Sequence, residues 1–72
     1  MPSSVISDFA YDPAVRELTI RFVSGRLYAY SDVPTDVVTA FGDAPSRGTF
    51  FNRFIRDHYN YRELPQRSGA DR

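Results

Sequence analysis

Residues 16–31 read Arg16-Glu17-Leu18-Thr19-Ile20-Arg21-Phe22-Val23-Ser24-Gly25-Arg26-Leu27-Tyr28-Ala29-Tyr30-Ser31. Leu18, Ile20 and Phe22 alternate with Glu17, Thr19 and Arg21, the period of a strand with one buried face. Ser24-Gly25 signals a tight turn, and residues 26–31 form the return strand of a hairpin. Two registers fit. A two-residue turn at Ser24-Gly25 pairs Arg21 with Tyr28 and puts Tyr28 and Tyr30 on the outer face with Glu17, Thr19 and Arg21. A three-residue loop, Val23-Ser24-Gly25 with a bulge at Gly25, pairs Ile20 with Tyr28 and puts both rings with Leu18, Ile20 and Phe22. The second is preferred, because two buried tyrosine bodies supply area that so small a core needs.

Upstream, Val5-Ile6-Ser7-Asp8-Phe9-Ala10-Tyr11 reads as a first strand with Val5, Phe9 and Tyr11 on one side. Asp12-Pro13 opens the turn that follows, Pro13 fixing φ and the Asp12 side chain bonding forward. Downstream, Pro34 with Thr35 or Asp36 starts a short helix that turns Val37, Val38 and Phe41 to one face. Gly42 and Pro45 stop it. Ser46 is placed to cap a second helix running to about Tyr59. At 100° per residue, Phe50, Phe51, Phe54, Ile55 and His58 form its apolar stripe, with Asn52, Arg53 and Arg56 opposite. The expected core holds Phe22, Phe51, Phe54 and Ile55, while Tyr61 and Leu64 could pack back on it. Residues 65–72 are polar and expected to fray. The fold class is therefore α+β, a three-stranded antiparallel meander followed by two helices packed on one face (β-β-β-α-α).

All 72 residues fit one small domain. Six Phe and five Tyr, with 42% apolar residues, mark a folded chain rather than a solvated one. No cysteine is present, which excludes disulfides, a thiolate nucleophile and cysteine zinc sites. No apolar run reaches the roughly 18 residues of a membrane span, and Met1-Pro2-Ser3-Ser4 is no signal peptide. A cytoplasmic monomer is expected.

Enzyme constellations are missing from the sequence. His58, the single histidine, lies on the apolar stripe, where a structural role outweighs a metal or general-base role. Asp57 and Glu63 read as surface charge rather than an acid–base pair. Ser46-Arg47-Gly48 lacks the spacing of a phosphate loop. The reading is a non-enzymatic module without cofactor or metal. Formal charge is zero, yet residues 1–46 hold three Arg against six acids, net −3, and residues 47–72 hold six Arg against three acids, net +3. Every cation is arginine, whose planar fork suits phosphate. Arg47, Arg53, Arg56 and Arg62, with Asn52, mark the outer face and ends of the second helix as a candidate phosphate surface. Tyr28, Tyr30 and Tyr59 are the candidate base-stacking rings.

Tyr11-Asp12-Pro13, Leu18-x-Ile20-x-Phe22-x-x-Gly25-x-x-Tyr28-x-Tyr30-x-x-Val33-Pro34 and Ser46-x-Gly48-x-x-Phe51-Asn52-x-x-Ile55-x-x-x-Tyr59 together resemble the KTSC domain. The resemblance covers about residues 5–64. That module occurs alone in small bacterial and phage proteins and at the C-terminus of some lysyl-tRNA synthetases. The fusion implies RNA binding, and Arg47 stands where the family often carries lysine. RNA is thus the expected partner. The alternative is a protein-interaction module docking a partner on the sheet face or strand edge. A helix-turn-helix DNA reader built from residues 35–42 and 46–59 fits less well with the preceding meander and neutral charge.

Overall fold

A computed structural model of the chain describes residues 5–65. The expected fraying of residues 65–72 lies, apart from Pro65, outside them. The hairpin adopts the second register, which turns both tyrosines to the core side, Tyr30 buried and Tyr28 half-buried. β2 (Glu17–Phe22) pairs antiparallel with β3 (Leu27–Tyr30), matching Ile20 to Tyr28 and Leu18 to Tyr30. Gly25 holds the turn with φ of 97° and donates its N–H to the Phe22 carbonyl. A residue with a Cβ is strained in that left-handed region. β1 (Ile6–Asp12) pairs with the other side of β2. Asp12 Oδ1 accepts from the Ala14 amide at 3.0 Å, closing the intervening turn as expected.

Inside β1 the alternation slips by one at a bulge between Ile6 and Asp8. Ile6, rather than Val5, therefore joins Phe9 and Tyr11 on the core side. α1 (Thr35–Asp43) buries Val38 and Phe41 and half-buries Val37, and it runs through Gly42 before Ala44 and Pro45 end it. The Tyr11 hydroxyl donates to the Val33 carbonyl at 2.6 Å, strapping the loop before α1 to the first strand. Ser46 caps α2 (Arg47–Phe50), its Oγ accepting from the Thr49 amide at 3.3 Å.

Four expectations need correction, and they share one cause. α2 passes without a break into a π turn, Phe51–Ile55, closed by the Arg56 amide donating to the Phe51 carbonyl at 2.8 Å. The extra residue in that turn lowers the rotation per residue below 100°. Phe51 and Ile55 stay in the core, but Phe54 swings out, is 52% exposed, and rests on Phe50 at 4.8 Å between ring centroids. His58 is exposed too. The helix ends at Ile55 rather than near Tyr59, because Arg56 is extended and Asp57 takes a φ of 68°. The chain so released forms β4 (Tyr61–Leu64), antiparallel to β3.

The architecture is a small α+β domain with a four-stranded antiparallel sheet, order β1-β2-β3-β4, and two helices on one face. The sheet has one strand more than the sequence suggests. Leu18, Ile20, Val33, Phe41 and Ile55 are fully buried between the layers. The helices leave the β3–β4 end of the inner face only partly covered. There Tyr28 is half-buried and Tyr61 is 57% exposed.

Candidate functional site

Alternation along the strands places Phe22, Tyr28, Tyr30, Tyr61 and Glu63 on the helix side of the sheet. Because Tyr30 lies opposite Tyr61 and Tyr28 is two residues away on the same face, the three phenols form a ladder. The Tyr30 and Tyr61 centroids are 5.4 Å apart with the rings 30° from parallel, and Tyr28 lies 5.5 Å from Tyr61. Phe22 braces Tyr28 edge-on at 5.4 Å, and Phe51 braces both Phe22 and Tyr30 from the π turn. Edge-to-face packing of this kind fixes ring orientation as well as burying area.

The uncovered part of this ladder is the floor of an open groove of about 590 Å³. Polar groups stand along it. Asn52 and Arg56 come from the π turn, joined by a 3.1 Å hydrogen bond from Arg56 to Asn52 Oδ1. Arg26 comes from the end of the hairpin loop. Its guanidinium is raised above its ordinary pKa by a hydrogen bond with Tyr28 and by the Glu63 carboxylate, 3.9 Å away. Asp57 also lines the groove. The site thus combines aromatic faces, two guanidinium groups and an amide.

Of the sequence candidates, the fold brings together Tyr28, Tyr30, Asn52 and Arg56. The others lie elsewhere. Arg47 sits over the Phe9 ring, 5.5 Å from its centroid, and donates to the Gly42 carbonyl. Arg62 does not flank the helix: it projects from the outer face of the sheet, paired with Glu17 at 3.2 Å. Arg53 is exposed but lines no part of the groove. Tyr59 packs half-buried against the core and borders a separate shallow depression with Asp32, Asp57 and His58. Sequence reasoning missed Arg26 and Tyr61 as groove residues. The only signal for Tyr61 was an aromatic residue in a four-residue run before Pro65.

Among the described residues, no group of three or more His, Cys, Asp or Glu could hold a metal ion. No helix among them is long and apolar enough to cross a membrane.

Tyr30 is 4% exposed, and its phenol is pushed up to about pH 12. Burial is the largest cause, followed by repulsion from Tyr61 and Tyr28, with Arg56 opposing. A phenol whose folded pKa lies above its unfolded value of 10 favours the fold fully below pH 10. That contribution is lost as pH rises from 10 through 12. Absorbance titration at 295 nm should show one tyrosine ionising near pH 12, together with loss of stability over that window. Tyr30→Phe should delete the step.

The sequence model of the KTSC domain matches residues 2–59. A lysine–tRNA ligase of Nostoc punctiforme is 41% identical over 61 residues, covering 85% of this chain and 11% of the ligase. The chain therefore spans about a tenth of the length of that relative. A protein of Stutzerimonas stutzeri is 40% identical over 62 residues, covering 85% of this chain and 87% of its own. The crystal structure of a KTSC domain protein from Yersinia pestis superposes with a TM-score of 0.84 at 34% identity, over 90% of this chain and 92% of that one.

Proposed function

The chain belongs to the KTSC domain family, and on that footing we propose that it is a non-enzymatic module that binds single-stranded RNA in the groove. The observation that carries this reading is the tyrosine ladder with Arg26 and Arg56 beside it. Unpaired bases stack on aromatic faces while guanidinium groups take the phosphates, a combination that tolerates any base. Tyr61 offers an exposed ring for this, and Tyr30, itself braced by Phe51, holds it from behind. A relative that joins this domain to a lysine–tRNA ligase sets the module beside an enzyme that acts on RNA, which agrees with the reading.

The groove also separates the two helix arginines that the sequence groups together. Arg56→Glu should weaken binding of a labelled 12-nucleotide single-stranded RNA by about tenfold or more. Its salt dependence should lose one phosphate's share, about 0.7 in log–log slope. Arg53→Glu should stay within about threefold of wild type. Both side chains are exposed, so each variant should keep its stability within about 1 kcal/mol. Fluorescence anisotropy at low salt measures all of this. Equal effects of the two substitutions would move the RNA to the outer helix face, and no affinity at all would remove the RNA reading.

A second reading has its own observation. Val5 and Val23, 46% and 67% exposed, border the same groove, an apolar rim suited to a protein partner. That partner becomes the better account if RNA does not bind.

A further inference from the structure

The charges around the groove say how much RNA it takes. Arg26 and Arg56 are matched by Asp57 on the lining and Glu63 beside Arg26. Two cations against two carboxylates make a nearly neutral site, set in a chain whose formal charge is zero. Such a site gathers little affinity from a long run of phosphates, because that affinity grows with each phosphate neutralised. The apolar content lies instead in the rings of Tyr28 and Tyr61. The volume, about 590 Å³, is on the scale of a single small-molecule pocket. A track for many nucleotides would be longer.

The Arg26–Glu63 pair adds a second element. Its N···O separation is 3.9 Å and both side chains are about half exposed, so the pair is weak and readily exchanged. Arg26 nevertheless lines the groove wall together with Tyr28. A phosphate arriving over Tyr28 meets a guanidinium already in place, with one carboxylate to displace.

We infer that the groove holds one or two unpaired nucleotides, read mainly by stacking on Tyr28 and Tyr61, and that Glu63 acts as a brake by competing with the phosphate for Arg26. The inference rests on the RNA reading above, naming its ligand class and the residue that limits its affinity. Duplex RNA is excluded, because paired bases present no free face to Tyr61.

The test is calorimetric titration of the full chain with uridylate oligomers of two, four and eight nucleotides, and with an eight-base-pair RNA duplex, at several salt concentrations. The dinucleotide should bind within about threefold of the octamer after correction for the number of sites. The log–log salt slope should be about −0.7 to −1.4, the value for one or two phosphates on a single strand. Glu63→Gln should tighten binding about three- to tenfold, and the duplex should not compete. Affinity that climbs steeply with length, a slope beyond −2, effective competition by the duplex, or an indifferent Glu63→Gln would each overturn this inference while leaving RNA binding standing. No heat with any oligomer, and no anisotropy change with the 12-nucleotide RNA, would remove both. Circular dichroism of Glu63→Gln separates a binding effect from a folding one.

Discussion

Phe41→Ala is expected to bring the domain to the edge of unfolding. Phe41 is fully buried and packs at 4.7 Å on Phe9 and 5.9 Å on Phe50, so it joins β1, α1 and α2 at one point. Truncating a phenylalanine there removes its transfer free energy and leaves a cavity, together about 3–5 kcal/mol. At about 0.05–0.15 kcal/mol per residue, a domain of this length holds roughly 4–11 kcal/mol in all. With each kcal/mol worth about 4–8 °C in a domain of this size, Tm should fall by at least about 12 °C. Phe54→Ala is the contrasting substitution. Its ring touches Phe50 on an exposed surface, so its removal should cost about 1 kcal/mol or less. Thermal or urea melts of the two variants check both values. Equal losses would mean that residues 51–55 continue the α-helix and bury Phe54.

That contrast shows what the sequence conveys. The register of the β2–β3 hairpin was legible because only one choice buries Tyr30, and a small core needs that ring. The Ser46 cap was legible because a hydroxyl before a helix answers a local demand of the free amides. Phe54 was not. A π turn is a backbone choice that keeps Phe51 and Ile55 packed, and the 100° rule assumes it away. The same turn hides β4, since a helix drawn on to Tyr59 leaves only Asn60 to turn the chain back to β3. The tyrosines of the candidate site could thus be read from β3 alone, but not the exposed member of their ladder. Arg62 was grouped with the helix for the same reason. On β4 it faces the opposite side of the sheet and meets Glu17.

Tyr61→Ala is expected to have the largest effect on binding. Tyr61 is the most exposed ring of the ladder, stacked on Tyr30 and in contact with Tyr28. A base stacked on such a ring contributes about 1–3 kcal/mol, so its loss should weaken single-stranded RNA binding roughly 5- to 150-fold. Stability should change far less, by about 1 kcal/mol or less for one cross-strand aromatic pair. Tyr61→Phe should restore most of the affinity, because the π face remains when the hydroxyl is gone. A variant that unfolds rather than losing affinity would make Tyr61 a structural residue. Retained affinity in a folded Tyr61→Ala would place the ligand elsewhere.

Single-stranded RNA on the uncovered tyrosine ladder is the central proposal. Its most direct test is an NMR titration of wild type and Tyr61→Ala with a uridylate octamer, following the tyrosine ring resonances. Upfield ring-current shifts are expected at Tyr61 and Tyr28 in wild type, with smaller shifts at Tyr59 and near-complete loss of the response in Tyr61→Ala. Shifts centred on Arg53 and the outer helix face with silent tyrosines, or no shifts at any RNA concentration, would contradict it.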